Sequence, residues 1–200
     1  MIAGMKHRLF LPILLLLAGP AFAGGAGEAA DDTAEAVAIR ELVDARGVTV
    51  SVPQTNRIVT LGGAVTETAY ALGAEDRIVG VDESSLYPPR AIADNPTVGL
   101  VRQVSVEGIL SLEPELVMTT EDLGPPEALE QLTSVGIPVF VVPGEDSFAG
   151  AVDRVRVIGE VLGTPDRAAE LIAGMEADIE RGAEIAAAAG TEPRVLFIYA

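Results

Sequence analysis

The chain has 200 residues, 30 acidic against 13 basic, with no Cys, no Trp and one His. Lys6, His7 and Arg8 all precede Ala23, so beyond that point there is neither Lys nor His and every base is Arg. This excludes zinc sites built from His or Cys, Cys or Lys nucleophiles, and a serine triad with an imidazole base; a net charge of −17 also argues against phosphate backbones as partners, so no nucleic acid is expected.

Residues 1–23 are read as a secretory signal. Met5-Lys6-His7-Arg8 is a basic start, residues 9–18 are apolar, and Ala21-Phe22-Ala23 is a small-x-small cleavage site. The apolar run is broken by Pro12 and Pro20 and falls short of the roughly 20 residues of a membrane span. With no Cys after the signal there is no thiol to lipidate, so the expectation is a soluble periplasmic protein without a lipid anchor.

Residues 24–46 are expected to be an extension of the mature N-terminus. Within it, Val37, Ile39, Leu42 and Val43 have the spacing of a short helix over 34–45. Val48, Val50 and Val52 alternate with polar residues as in an exposed strand, closed by Pro53. The run 58–61 reads as a buried strand that turns through Gly62-Gly63 into a helix bearing Val65, Thr68, Ala69 and Leu72, with Gly73 as its stop.

The grammar then repeats. Strands are expected at 78–81, 116–119 and 138–142; Ser105 has the character of an N-cap, and a helix over 126–135 ends at Gly136. Alternation of this kind implies βαβ crossovers and a mainly parallel sheet covered on both faces, so 47–163 is an α/β lobe. Ligands bind such lobes beside the carboxyl ends of the strands, here the segments 62–66, 82–90 and 119–125. Ser147 precedes a further helix, and Thr164-Pro165 starts a long one reaching about residue 189, an interlobe rod over 164–190 about 37 Å in length. Residues 193–200 read as the first strand of a second lobe, which is expected to be largely absent from this chain.

Several segments together carry a resemblance. Arg57-Ile58-Val59-Thr60-Leu61-Gly62-Gly63, Tyr70-Ala71-Leu72-Gly73-Ala74, Val79-Gly80-Val81-Asp82, Tyr87-Pro88-Pro89 and Glu107-Gly108-Ile109-Leu110-Ser111-Leu112-Glu113-Pro114 resemble, in order and spacing, the first lobe of cluster-type periplasmic binding proteins. Those proteins serve transporters for cobalamin, ferric siderophores and haem, and have two α/β lobes joined by one long helix. Ser84-Ser85-Leu86-Tyr87-Pro88-Pro89, Gly99-Leu100-Val101-Arg102-Gln103 and Gly124-Pro125-Pro126-Glu127 look most like the haem-binding branch.

The resemblance implies a monomeric, non-enzymatic protein that carries haem as transported ligand, without a catalytic cofactor, to an inner-membrane ABC permease with its ATPase. It places the axial iron ligand on Tyr87, and the residue chemistry agrees. Ferric iron is a hard cation suited to an oxygen donor, phenolate is a known haem ligand, and Met118 and Met175 are softer. A phenol ordinarily titrates near about 10, so iron must supply most of the stabilisation of the phenolate. Arg102 is the candidate cation, for a haem propionate or for the phenolate, and Arg90 is a second. Leu86, Leu100, Val101 and Leu123 are candidate apolar contacts to the porphyrin. Glu107 matches the acid with which the cobalamin-binding relative docks onto permease arginines; the ordinary reading is an acid favoured by a helix N-terminus. The alternatives are the same fold carrying a ferric siderophore or cobalamin and, from another class, an exported hydrolase using Glu121 and Asp122.

Overall fold

The computed structural model of the chain describes residues 39–190 and 194–198. The expected signal at 1–23 and the extension up to residue 38 lie outside the described residues. Where the extension enters the structure it departs from expectation. Ile39–Val43 is a strand, β1, paired antiparallel with β2 (Thr49–Pro53) in the register Ile39↔Pro53 to Val43↔Thr49. The helical spacing of Ile39, Leu42 and Val43 is overridden by pairing with a partner that lies across a turn, which periodicity in one segment does not register. The folded lobe therefore takes in residues upstream of the expected boundary at 47. Val50 and Val52 point inward and are buried, so β2 is half-buried rather than exposed.

Asp44 organises that turn. Its side chain, shielded from solvent, accepts from the Arg46 main-chain N–H at 2.9 Å, the Val48 N–H at 3.2 Å and the Arg46 guanidinium. Burial alone would push this carboxyl up, but the Arg46 side chain and the main-chain donors outweigh it and hold it below its ordinary value. A depressed carboxyl stabilises the fold above its unfolded pKa of about 4 and loses that contribution as the pH falls through the folded value. Asp44→Asn is expected to lower the melting temperature at pH 7 by a few degrees, roughly 1 kcal/mol or more, and to flatten its decline from about pH 5 to about pH 2. Thermal melts across that range check this, and an unchanged acid slope would exclude Asp44 as a source of it.

The central sheet is parallel. β3 (Ile58–Thr60) lies between β4 (Ile78–Val81) and β7 (Leu116–Thr119), with β8 (Val139–Val141) beyond, in the order β4-β3-β7-β8. Side chains alternate between two cores. Ile58, Met118 and Phe140 face the helices α1 (Gly63–Ala71), α5 (Phe148–Leu162) and α6 (Pro165–Ala189), while Val59, Val117 and Val139 face α3 (Val106–Ser111) and α4 (Pro126–Ser134). This is the doubly covered α/β lobe that the alternation implies. The chain passes from β3 outward to β4 and then returns to the other side of β3 for β7. The sheet thus has a switch point between β3 and β7, where ligands of open α/β sheets bind.

Three small elements escaped the sequence reading, a 3-10 turn at Glu75–Arg77, a helix α2 (Arg90–Asp94) and a hairpin of β5 (Gly99–Leu100) with β6 (Gln103–Val104). The expected caps are present at three helix ends, while Thr164, expected to cap α6, stands at its N-cap position without a side-chain bond to the helix. Ser105 and Ser147 Oγ accept from the Gly108 and Gly150 N–H groups, and Gly163 ends α5 at φ 73°. α6 packs on α5 through Ala168, Leu171, Ile172 and Met175, after which residues 176–190 are all exposed. Residues 194–198, expected to be a strand, are exposed and carry no strand pairing; a strand needs a hydrogen-bonding neighbour. The rest of that expected strand, including Pro193 and Tyr199, lies outside the described residues.

Candidate functional site

The turn after β3 is built on a buried polar network. Asp82, at the carboxyl end of β4, is fully buried and accepts from the Gly62 N–H at 2.9 Å, the Ser84 N–H at 3.1 Å, the Ser85 hydroxyl at 2.6 Å and the Ser84 hydroxyl. The Ser85 hydroxyl also meets Thr66 at 2.7 Å, and Thr66 meets Thr60 at 2.8 Å. No basic side chain joins this set among the described residues. The two turns touch: Gly62 sits at φ 100°, and a Cβ on Gly63 would lie 2.7 Å from the Ser84 carbonyl oxygen. Glycine is required here by both conformation and space. The loop after β4 is thereby tied to the turn after β3 at Ser84 and Ser85, and it runs on through a cis Tyr87–Pro88 bond.

Beside this network opens a cleft of about 560 Å³, formed by the turns after β3, β7 and β8, the β5–β6 hairpin and Arg154 of α5. Its walls are polar. Glu121, Asp122 and Asp146 face Arg102 and Arg154, and Val101 supplies an apolar contact. The hairpin and the β7 loop are clasped by main-chain bonds of 2.9 Å, Gly124 N–H to Val101 O and Val104 N–H to Gly124 O.

Of the residues singled out from sequence, Val101 and Arg102 line the cleft. Arg102 is ion-paired with Asp122 at 2.9 Å, both side chains being largely exposed. Leu86 and Leu100 are exposed on the flanking loops, where they leave apolar surface uncovered. Leu123 lines a neighbouring apolar recess of about 380 Å³ with Pro126, Leu129 and Val141. Arg90 belongs elsewhere: it pairs with Glu75 at 2.8 Å, stacks 5.1 Å from the Tyr70 ring centroid and borders a small pocket on that side. Glu107 is exposed in the first turn of α3.

The two described tyrosines contrast sharply. Tyr70 is buried and its phenol oxygen accepts from the Asn95 side-chain amide at 3.0 Å; burial pushes its pKa up, against the effect of that hydrogen bond. Tyr87 is 63% exposed, and its hydroxyl has no protein partner among the described residues. Met118 is fully buried in the core and Met175 packs between helices. Sequence reasoning missed Asp82 and Arg154. The only signal for Asp82 was an acid closing a buried strand next to two serines, and for Arg154 there was none, since it stands far along the chain on a helix read for its apolar face.

Residues 58–200 match the family described as Periplasmic binding protein. An uncharacterized ABC transporter substrate-binding lipoprotein of Bacillus subtilis (strain 168), YvrC, is 32% identical over 184 residues, 88% of this chain and 58% of that protein. The Vitamin B12-binding protein of Yersinia pestis (strain Pestoides F) is 34% identical over 93 residues, 46% of this chain and 33% of that protein. Among solved structures, the periplasmic heme-binding protein RhuT from Roseiflexus sp. RS-1, in apo form, superposes with a TM-score of 0.68 at 39% identity, covering 72% of this chain and 55% of that one. The chain spans a little over half the length of the lipoprotein and of the heme-binding protein.

Proposed function

The chain belongs to the periplasmic binding protein family, and on that footing we propose that it is the haem-capturing lobe of an exported substrate-binding protein that feeds an ABC importer. The observation that carries this reading is Tyr87, an exposed phenol without a protein partner among the described residues, on the loop after β4 whose Ser84 lines the switch-point cleft. Likeness to a heme-binding structure over most of the chain supports the same ligand. In this reading Tyr87 binds ferric iron, Leu86 and Leu100 cover porphyrin, Val101 and Leu123 extend that contact, and Arg102 serves a propionate. Arg102 must first yield part of its pairing with Asp122, and Arg90, held by Glu75 and Tyr70, has the smaller part.

Glu107, exposed in the first turn of α3, is the proposed contact to the permease, with the cognate ATPase behind it. The periplasm is the proposed location, and no helix among the described residues is long and apolar enough to cross a membrane. The Yersinia relative favours cobalamin as the second ligand to test. A hydrolase gains no support, because the family is one of binding proteins and Glu121 and Asp122 are adjacent on one loop rather than set across a bond. Hemin added to the purified chain is expected to give a saturable absorbance change, with cyanocobalamin producing none. Linear, unsaturable hemin uptake, or saturable binding of cyanocobalamin alone, would overturn the haem reading.

A further inference from the structure

Arg154 is set apart from the other arginines by what its guanidinium does. Five arginines are ion-paired with a carboxylate. Arg40, Arg57, Arg77 and Arg167 donate terminal N–H groups to main-chain carbonyls. Arg154 donates only its Nε, to the Pro143 carbonyl oxygen at 3.2 Å. Leaving aside Arg194 at the edge of the described residues, it is the described arginine whose two terminal nitrogens have neither kind of partner. It is half-buried near the middle of α5 and lines the switch-point cleft. The Nε contact fixes the plane of the guanidinium and leaves an unspent pair of donors, the fork geometry that a carboxylate takes in bidentate fashion.

The carboxylates that share the cleft, Glu121, Asp122 and Asp146, are exposed and do not reach it within ion-pair distance. Solvent and salt screen their repulsion of an incoming anion more than they weaken a direct, half-shielded hydrogen bond.

We propose that Arg154 anchors a carboxylate of the ligand and so selects a tetrapyrrole with free carboxylate side chains over a corrin whose side chains are neutral amides. The inference rests on the haem reading above and adds the residue that sets ligand class. Arg102, already paired with Asp122, is the weaker of the two cleft cations for this task.

The test is a set of absorbance titrations of the chain with hemin and with hemin dimethyl ester, whose carboxylates are neutral. The wild type is expected to bind hemin more tightly than the ester. Arg154→Met is expected to lose roughly 10- to 100-fold in hemin affinity while its ester affinity and its iron-ligand spectrum stay unchanged. Arg154→Lys, which keeps the charge without the fork, should recover part of the loss. Equal wild-type affinity for hemin and ester overturns the proposal without needing any variant, and so does an Arg154→Met protein that binds hemin as the wild type does; both leave the haem reading standing. Equal weakening for both ligands would make Arg154 a packing residue and also overturn it. A wild type that binds neither ligand overturns this proposal and the haem reading together.

Discussion

Replacing Tyr87 by Phe is expected to abolish the phenolate-to-iron charge-transfer band of the hemin complex and to weaken hemin binding by roughly 100-fold or more. Loss of a group that merely supports a metal ligand costs 10- to 100-fold in affinity, so loss of the ligand itself should cost at least the upper end of that range. The substitution removes one oxygen from a side chain that is 63% exposed, with no protein partner among the described residues, so the fold should be indifferent to it. The choice of ligand follows from what else the described residues offer to iron. Tyr70 is buried and hydrogen-bonded, and burial raises its pKa and so disfavours a phenolate. Met118 is enclosed by the core, and the lone His of the chain, His7, lies outside the described residues. An unchanged spectrum and affinity in Tyr87→Phe, with melting temperature preserved, would remove Tyr87 as the iron ligand.

Elements whose cause is local were legible in the sequence. The strands at 58–60 and 116–119 are continuous apolar runs because both faces are covered, and α6 keeps one helical period across 25 residues. Ser105, Ser147 and Gly163 cap where the chain itself demands it. Elements whose cause is distant were not. β1 has the spacing of a helix, and only the turn gathered around Asp44 sets it opposite β2. The same distinction separates the parts of the cleft. The turns after β3 and β7 follow from the strand ends, whereas Val101 and Arg102, at the turn of the β5–β6 hairpin, were singled out by the resemblance alone. Beside Val101 the cleft wall is polar, carrying Glu121, Asp122 and Asp146, and Leu123 lines the neighbouring recess. Arg154 enters from the middle of α5, on a helix whose apolar face is all that the sequence announces.

Asp82→Ala is expected to be the most destabilising single change near the site and to damage ligand binding without touching ligand. The carboxylate is fully buried and accepts from two main-chain N–H groups and two hydroxyls. Alanine leaves the buried Gly62 N–H and Ser85 hydroxyl without their acceptor, while the Ser84 N–H and hydroxyl belong to an exposed residue of the cleft wall and can turn to water. Each buried, unsatisfied group costs about 1–3 kcal/mol, so the net loss should be about 2–4 kcal/mol. For a lobe of this size that corresponds to a fall in melting temperature on the order of 10 °C. Asp82→Asn keeps the shape and one acceptor oxygen but turns an amide N–H₂ toward donors, so its loss should be intermediate. Both variants should also bind hemin more weakly, because the bonds to Gly62 and Ser84 hold the loop that presents Leu86 and Tyr87. Loosening it makes the chain restore that order at the moment of binding. The signature of a positioning role is a charge-transfer band that survives at saturating hemin while affinity falls, the reverse of Tyr87→Phe. If Asp82→Asn melts and binds hemin like the wild type, the network is not what fastens the Tyr87 loop, and the close contact of Gly63 with Ser84 must hold it instead.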